Sequence, residues 1–278
     1  ASQELFVSQP AITKHIQELE AAYQTRLFDR QGSRISLTES GNLLLEHCER
    51  ILEDYKRLEY EMHLLHNEYT GGLKLGASTT IAQYVLPPLL ASFIGKFPQV
   101  SLSLLNGNSR EIEAALQEHR IDLGFVEGVF RLPNIRYTTF LEDELVAVVR
   151  TGSKLAVGEE ITPDELFHLP LVLRERGSGT LDVFERALQQ HNIKLSSLQV
   201  LMYLGSTESI KLFLEHTDCL GIVSVRSITR ELYSGQLRVV EIKGMPMLRD
   251  FSFAQPQGQE SGLAQVFMQF AMHNNHKL

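Results

Sequence analysis

The sequence predicts a multidomain chain of the α and α/β classes, in which a small helical head and one long helix precede a two-lobed α/β domain. Three observations predict this arrangement. An amphipathic helix with a basic hairpin after it opens the chain, a long apolar repeat follows, and strands then alternate with helices in two separate runs. The length of 278 residues suits two or three such units.

Composition and charge limit the class of protein. The apolar fraction of 43% and the charged fraction of 22% are typical of a globular protein. No apolar run approaches the roughly 18–20 residues that cross a bilayer, and no signal-peptide pattern is present, so we expect a cytoplasmic protein without membrane contact. The net charge of −8 argues against a protein that coats nucleic acid, but it leaves room for a small DNA-reading module.

The segment FVSQPAITKHIQELE, at Phe6–Glu20, predicts an amphipathic helix. Ser8 suits the N-cap, and Pro10 suits the first turn, where a missing N–H is harmless. Apolar residues recur at helical spacing on one face: Ile12, Ile16, Leu19 and Tyr23. The remaining face carries donors and acceptors that suit base edges and phosphates in a major groove: Gln9, Thr13, Lys14 and Gln17.

The flanking segments give the order of a winged helix-turn-helix over residues 1–37. Ser2–Phe6 predicts a short helix, and RLFDRQGSRISLTESG predicts a turn at Gln31–Ser33 and a strand at Arg34–Leu37. Three of the four basic residues of this domain cluster between Arg26 and Arg34. Periodicity alone leaves an alternative open, in which the helix is a solvated surface helix.

A long helix is predicted next, within a linker over residues 38–70. Thr38 suits its N-cap, and no Pro or Gly interrupts the chain between Asn42 and Tyr69. A heptad seam runs along it: Leu44, Cys48, Ile51, Tyr55, Leu58, Met62, Leu65 and Tyr69. Because such a narrow seam is poorly buried on a monomer, it predicts a coiled-coil dimer. Packing against the chain's own globular part is the alternative.

From residue 71 the pattern is that of an α/β effector domain in two lobes. The first run of predicted strands is LKLGA, VSLSLLN, DLGFV and ELVAVV, and the second is LPLVL, LQVLMYL and GIVS. A further strand and a closing helix follow Pro246. We therefore predict lobe I over about 71–150 plus 255–278, and lobe II over about 151–254.

Hydroxyl residues stand where these strands give way to helices. Helix N-termini meet at the carboxyl ends of strands in open α/β sheets, and such a cleft favours a small anion. The junctions carry Ser78, Thr79 and Thr80, then Ser109, then Ser178 to Thr180, then Ser206 and Thr207, and Arg174 and Arg176 lie nearby. Ser and Thr are also the preferred helix caps, so any one of them is readily explained without a ligand.

No catalytic, cofactor or metal motif is found. The sequence lacks HExxH, GxGxxG after a strand, a P-loop and GxSxG. The spacing expected of metal ligands is absent both from the two cysteines, Cys48 and Cys219, and from the ten histidines. The acidic triplet Glu142–Glu144 is interpreted as a strand edge. We predict no enzyme activity, no cofactor and no metal.

The chain resembles the LysR-type transcriptional regulators over essentially its whole length. The segments LFVSQPAITKHIQELE, LFDR, LTESG, FPQVSL and DLGFV match that family in order. The resemblance implies a periplasmic-binding-protein-like effector domain, a homodimer or homotetramer, and binding to double-stranded operator DNA. It also implies a small-molecule effector, with an anion favoured, and allows RNA polymerase as a further partner.

Carried residue by residue, the resemblance implies two sets of site residues. The DNA-binding residues that it implies are Ser8, Gln9, Pro10, Thr13 and Lys14 at the groove and Arg34 in the wing; Gln17 of the polar helix face and Arg30 of the basic cluster complete the predicted DNA-binding set. The effector-binding set is Ser78, Thr79, Thr80, Ser109, Glu127, Ser178, Gly179, Thr180, Ser206 and Thr207.

Two departures from the family pattern are visible. RERGSGT and GSTESIK are similar to the subgroup that regulates carbon fixation and sulfur or nitrogen assimilation, but Leu181 stands where those relatives usually carry Arg. The family also has a helix before the segment equivalent to Ala1–Phe6, so we expect a truncated start.

The predicted function is an effector-controlled DNA-binding regulator. The alternative is a solute-binding module or small-molecule enzyme, with the N-terminal helices serving only dimerisation.

Overall fold

The computed structural model describes residues 8–31, 34–66, 69–128, 131–155, 158–257 and 262–274. The chain divides into two compact units, residues 1–68 and residues 69–278. The predicted helix at Ser2–Phe6 and the centre of the predicted turn, Gly32 and Ser33, lie outside the described residues. In the part of the chain that is described, no helix combines the length and the apolar character needed to cross a membrane.

The N-terminal unit begins with helix α1, Gln9–Tyr23. Ser8 takes the N-cap position with an extended backbone and Pro10 lies in the first turn, as predicted, although the Ser8 side chain makes no capping hydrogen bond. The helix ends at Gln24, whose left-handed backbone (φ 51°) closes it. Strands β1 (Phe28–Gln31) and β2 (Arg34–Leu37) then pair antiparallel, which confirms the predicted hairpin.

The long helix α2 spans Glu39–His66. The Thr38 hydroxyl accepts a hydrogen bond from the Gly41 amide (3.0 Å) and donates one to the Arg26 carbonyl oxygen (2.6 Å), so it caps the helix and ties it to the preceding turn. A Cβ atom at Gly41 would lie 2.1 Å from the Leu27 carbonyl oxygen, so only glycine permits this close approach. The helix begins directly after Thr38, at the position that the predicted N-cap gives it.

The α/β unit contains one continuous ten-stranded sheet that serves two lobes. In lobe I, strand β3 pairs parallel with β4 and β5, and β12 pairs antiparallel with β5 and β6. The elements of this lobe are β3 (Gly71–Ser78), α3 (Leu86–Lys96), β4 (Val100–Gly107), α4 (Ser109–Gln117), β5 (Leu123–Glu127), the first part of β6 (Ile135–Arg150), β12 (Leu248–Pro256) and α8 (Gly262–Asn274). A π-helical turn, Ile81–Val85, leads into α3.

Lobe II is built on the second part of β6. Strand β10 pairs antiparallel with β6 and parallel with β8, β8 pairs parallel with β9, and β11 pairs with β6 and β7. Its elements are β7 (Glu160–Ile161), β8 (Pro170–Arg174), α5 (Gly179–Gln190), β9 (Gln199–Leu204), α6 (Thr207–His216), β10 (Leu220–Ser224), α7 (Thr229–Tyr233) and β11 (Leu237–Ile242).

The chain passes between the lobes through a two-stranded ribbon of β6 and β12. Glu142, Asp143 and Glu144 pair there with Asp250, Arg249 and Leu248. Phe140 packs in the lobe I core and Leu145 in the lobe II core, so the first crossing lies near residues 141–144. The predicted boundaries near 150 and 255 are therefore several residues late, because ELVAVV is the second half of a strand of 16 residues that belongs to both lobes.

Each lobe has its own hydrophobic core. In lobe I, Phe93 packs against Phe97, Phe267 and Phe270 with ring centroids 4.5–5.2 Å apart, and Phe125 contacts Phe267 at 5.9 Å. In lobe II, buried side chains of β6, β8 and β10 pack against α5. Full burial of a large apolar side chain contributes about 1.5–3 kcal/mol, so each of these cores stabilises its own lobe.

Candidate functional site

The hydroxyl residues that the sequence places at strand ends do meet in the cleft between the two lobes. Ser78 ends β3, Thr79 and Thr80 follow it, and Ser109 begins α4. On the lobe II side, Ser178 and Ser206 are the N-cap residues of α5 and α6, and Gly179, Thr180 and Thr207 lie in the first turns. All of these residues except Ser206 are buried.

Some of these hydroxyl groups stabilise the protein itself. The Ser178 hydroxyl accepts from the Leu181 amide (3.2 Å) and the Ser206 hydroxyl accepts from the Ser209 amide (3.1 Å), so both are helix caps. Ser109 donates to the Glu127 carbonyl oxygen (2.8 Å). The threonines at positions 79, 180 and 207 instead contact buried arginine side chains, while Thr80 donates to the Glu127 carboxylate of its own lobe (3.4 Å).

Arg174, the last residue of β8, joins the two sides of the cleft. Its side chain is only 1% exposed. Nη2 donates to the Thr79 hydroxyl of lobe I (3.3 Å), and Nη1 donates to the Thr207 hydroxyl of lobe II (3.5 Å). The shorter bonds go to the neighbouring residue, since Nε and Nη2 donate to the two carboxylate oxygens of Glu175 at 2.8 and 3.0 Å. Of the two arginines proposed from the sequence, Arg176 is exposed.

Arg249, in the crossing ribbon, forms a second buried charged network that the sequence did not reveal. Its Nε donates to Asp143 (2.7 Å) and its Nη1 donates to Thr180 (3.0 Å) and lies 3.1 Å from Glu127 Oε1. The Asp143 carboxylate also accepts from the Ser224 hydroxyl (2.7 Å). Glu127 belongs to lobe I and Thr180 to lobe II, so this one guanidinium contacts the ribbon and both lobes.

The interpretation of Glu142–Glu144 as a strand edge is wrong for its central residue. Asp143 is buried, while Glu142 and Glu144 are exposed, because successive side chains of a strand point to opposite faces. A buried carboxylate requires a partner, and Arg249 on the adjacent strand supplies it. The only sequence signal was an arginine within the apolar segment around DFSFA.

A third contact between the lobes involves Tyr84 in the π-helical turn. Its hydroxyl donates to the Glu208 carboxylate of α6, and the Lys211 ammonium lies over its ring, 5.3 Å from the centroid. Burial, and then the hydrogen bond to Glu208, raise the pKa of Tyr84. Burial acts to raise the pKa of Glu208 as well, but hydrogen bonds from Lys211 and Tyr84 outweigh it and lower that pKa. The contact is therefore a neutral phenol on a carboxylate.

Two cavities open beside these networks. One, of about 270 Å³, is lined by Thr79, Gln83, Asn106, Gly107, Asn108, Glu111, Glu175, Gly205 and Ser206. The other, of about 820 Å³, lies along the ribbon and includes Gly128, Arg131, Asp143, Arg186, Arg226 and Arg249 in its wall. The smaller cavity contains residues from the predicted effector-binding set of both lobes, and it adjoins Arg174.

In the described residues no cluster of His, Cys, Asp and Glu has the geometry to hold a metal ion. Burial raises the pKa of the Cys219 thiol to about 11, so it is protonated and unreactive at neutral pH.

The N-terminal unit presents its predicted DNA-contacting residues on α1. Helix α1 has no buried residue, and Ser8, Gln9, Pro10, Lys14 and Gln17 are exposed. Thr13 is half-buried and donates to the Gln9 carbonyl oxygen (3.1 Å), and Lys14 pairs loosely with Glu18 at 3.8 Å. Arg30 and Arg34 lie on the two strands of the hairpin, but their side chains are outside the described part of the structure.

The predicted heptad seam forms an apolar line on α2. Ile51, Tyr55, Leu58 and Met62 are exposed by 48–66%, Cys48 is exposed, and Leu44 is half-buried. The side chain of Leu65 lies outside the described part of the structure. The prediction is wrong for Tyr69, which lies beyond the described end of α2 at His66. Its ring contacts Phe97 of the α/β unit edge-on at 5.6 Å, so an aromatic neighbour already packs against it.

Comparison with known proteins identifies the family. Residues 66–275 match the LysR substrate binding domain, and residues 1–42 match the bacterial regulatory helix-turn-helix protein of the lysR family. The chain belongs to the LysR family. It is a transcriptional regulator with a helix-turn-helix domain and an effector-binding domain, and not an enzyme.

Individual relatives agree with this assignment. The uncharacterized HTH-type transcriptional regulator YeiE of Escherichia coli K12 is 35% identical over 242 residues, which cover 87% of this chain and 80% of YeiE. The probable RuBisCO transcriptional regulator of Cyanidioschyzon merolae is 31% identical over 97% of this chain and 90% of its own length. The expected similarity to carbon-fixation regulators is thus confirmed.

A solved structure matches the α/β unit. The Synechocystis PCC6803 CcmR regulatory domain, in complex with 2-PG, superimposes with a TM-score of 0.67 and 27% identity, covering 73% of this LysR-type regulator and 97% of that chain. LysR-type regulators bind operator DNA and small-molecule effectors and form oligomers.

Proposed function

We propose that this LysR-type regulator binds a small anion in the cleft between its α/β lobes, and that occupancy changes its binding to operator DNA. The observation that carries the proposal is Arg174, a buried guanidinium that lies between the Thr79 and Thr207 hydroxyl groups of opposite lobes. A charged fork with neighbouring hydroxyls is well suited to a carboxylate or phosphate. The CcmR domain solved with 2-PG supports the same class of ligand.

The coupling would follow from the contacts that cross the cleft. Arg174 and Arg249 each bond to groups of both lobes, and Tyr84 of lobe I bonds to Glu208 of lobe II, so a ligand among them binds the closed arrangement better than an open one. A ligand shifts a conformational equilibrium by its difference in affinity for the two states. We propose that the shift alters the spacing of the two DNA-binding domains in a dimer, with α1 in the major groove and the β1–β2 hairpin as the wing. The proposal also includes a homodimer, or a tetramer built from two homodimers, and contact with RNA polymerase.

The effector part is tested by calorimetry on the full chain with 2-phosphoglycolate, inorganic phosphate and sulfate. Arg174→Met should weaken binding at least about tenfold, because a hydrogen bond to a charged group contributes ~1.5–3 kcal/mol. Arg176→Met, two residues along and exposed, is the matched control and should bind as the wild type does. Equal affinity for all three proteins would refute the site.

The DNA part is tested by fluorescence anisotropy on a fragment that the wild-type protein selects from a random library. Lys14→Ala with Arg34→Ala should weaken binding to all sequences and reduce the salt slope by about one for each phosphate that the variant no longer binds. Lys194→Ala with Lys243→Ala removes the same charge from the exposed surface of the α/β unit and should leave both quantities unchanged. An unchanged slope in the first variant would contradict the assignment.

A further inference from the structure

The charged fork of Arg174 is filled by the residue next to it in sequence. Nε and Nη2 donate to both carboxylate oxygens of Glu175 at 2.8 and 3.0 Å, in the bidentate arrangement that guanidinium and carboxylate prefer. The bonds to Thr79 and Thr207 are longer, at 3.3 and 3.5 Å. A ligand anion would use the same two nitrogen atoms, so Glu175 occupies the place that the ligand needs.

The described residues that line the cavity beside this pair include no cation. Of the residues around the 270 Å³ space, the charged ones are Glu111 and Glu175. Glu111 is committed elsewhere, because its carboxylate accepts from the Asn108 amide in the capping box of α4 (2.8 Å). The other polar side chains of the wall are neutral: Thr79, Gln83, Asn106, Asn108 and Ser206. An anion in this cavity is therefore expected to meet positive charge at Arg174, which bonds to the wall through Thr79.

The Glu175 side chain is placed so that it can move away from the Arg174 guanidinium. Its side chain is 26% exposed, whereas that of Arg174 is 1% exposed, so the carboxylate can rotate toward water while the guanidinium stays in the cleft. An exposed carboxylate regains hydration when a ligand displaces it, so the exchange costs little free energy. The backbone of Glu175 is held independently, by a hydrogen bond from its amide to the Leu204 carbonyl oxygen (3.2 Å).

We propose that Glu175 is an internal competitor for the effector and determines the specificity of the site. This inference rests on the proposed binding of an anion at Arg174. An entering ligand must replace two charged hydrogen bonds of Glu175 and must add bonds to the neutral donors of the wall to gain net affinity. A simple monocarboxylate replaces the Glu175 carboxylate with an equivalent group, gains no additional hydrogen bond and therefore binds weakly. A ligand with two anionic groups, or with an anionic group and hydroxyls, gains the additional bonds and is selected.

The inference is tested by calorimetry on the full chain with 2-phosphoglycolate and with acetate as the monocarboxylate probe. Glu175→Gln removes the competing charge and keeps the side-chain size, and Glu175→Ala removes the side chain. Both variants should bind each anion more tightly than the wild type, by about fivefold or more, the equivalent of one net hydrogen bond. Acetate binding should become measurable in the variants.

The matched control is Glu118→Gln, which removes the carboxylate of an exposed pair with Arg120 two residues along (2.7 Å), outside the cleft. It changes the net charge by the same amount and should bind each anion as the wild type does. Thermal unfolding without ligand shows whether each variant is folded before binding is compared.

The remaining outcomes separate this inference from the proposed function. If the wild type binds 2-phosphoglycolate, Arg174→Met abolishes that binding, and the Glu175 variants bind equally or more weakly, Glu175 orients Arg174 and the competitor role is wrong while the effector site stands. If no anion binds to the wild type or to either Glu175 variant, the anion site and the competitor role fail together. Binding of a diamine such as putrescine to the wild type, abolished in Glu175→Gln, would also overturn the inference, because Glu175 would then be a cation ligand.

Discussion

The two units of this regulator differ in how far they bury their apolar side chains. In the α/β unit Phe93, Phe251, Phe253 and Phe267 are fully buried, and each lobe encloses its own core. In the N-terminal unit Leu27 is the only buried apolar residue among those described, while α2 exposes apolar side chains along its length: Leu43, Leu45, Ile51, Leu52, Tyr55, Leu58 and Met62. One unit encloses its large apolar side chains within a single chain, and the other leaves most of those described on α2 exposed.

Charge is divided between the units in the same way. In the α/β unit Arg174 and Arg249 are buried and paired with carboxylates of the same chain. On α1 the Lys14 side chain is 75% exposed, and its nearest carboxylate is 3.8 Å away. Surface cations of this kind remain available to an external phosphate at little cost, whereas the buried cations are paired with carboxylates of their own chain, and losing one partner is costly. Substitutions in the two units should therefore affect different measurements.

The largest effect is expected for Arg249→Met. The variant removes the cation that lies 3.1 Å from the buried Glu127 carboxylate and leaves the buried Asp143 carboxylate with the more distant Arg226 (3.6 Å), and breaking a buried ion pair in this way costs about 3–5 kcal/mol. Denaturant unfolding of the full chain measures the loss. Arg150→Met, at the last residue of β6, is the control; Arg150 pairs with Asp218, both side chains are more than one third exposed, and the variant should change the unfolding free energy little.

A second variant shows whether the loss comes from uncompensated charge. Adding Glu127→Gln and Asp143→Asn to Arg249→Met removes both carboxylates and should restore part of the stability. If Arg249→Met unfolds at the wild-type denaturant concentration, the network does not hold the lobes together.

An intermediate effect is expected for Ile51→Asp, which places a charge in the predicted seam of α2. If the seam pairs two helices, the substitution buries a carboxylate in the dimer and should raise the dimer dissociation constant at least about tenfold, or ~1.4 kcal/mol. Sedimentation equilibrium measures the change. Leu52→Asp is the control, since Leu52 is 59% exposed against 66% for Ile51 but lies off the seam. Equal dissociation constants for the two variants would exclude the seam as an interface, and neither should alter unfolding of the α/β unit.

The elements of the fold could be predicted because their signals are local. Apolar spacings of three and four predicted α1 and α2, and the alternation of strands and helices predicted the two lobes. The residues at the strand ends were also within reach, since a hydroxyl residue before a helix is a local signal. Those same hydroxyls could not be sorted by sequence into caps, such as Ser178, and groups that face the cleft, such as Thr207.

The networks of the cleft could not be predicted, because they join residues that are distant in sequence. Arg249 and Asp143 are 106 positions apart and meet only through the antiparallel register of β6 and β12. Tyr84 and Glu208 are 124 positions apart and belong to different lobes. A strand that runs through both lobes also conceals the crossing point, which is why the predicted boundaries fell late.

The smallest effect is expected for Glu113→Gln, in the α/β unit. Glu113 lies on α4, where its carboxylate accepts a hydrogen bond from Tyr137 (2.6 Å) and is 7% exposed. Burial raises its pKa above the ordinary value of 4.5, the hydrogen bond from Tyr137 and the charges of Arg131 and Arg110 oppose the rise, and the charge of Asp182 adds to it. A glutamine keeps the acceptor for Tyr137 but cannot ionise.

The sign of the pH dependence follows from that shift. The folded protein holds the Glu113 proton at a pH where the unfolded chain has released it, so this group favours folding most below the ordinary pKa and loses that contribution as the pH rises through its folded pKa. The unfolding temperature of Glu113→Gln should therefore rise relative to that of the wild type as the pH is raised from below 4.5, the ordinary pKa, to neutrality. Calorimetric scans of both proteins, with Glu118→Gln as the exposed control on the same part of the chain, measure the difference. A constant difference across that range would show that Glu113 ionises as readily in the folded protein as in the unfolded chain, and a difference of opposite slope would show that the nearby arginines outweigh burial.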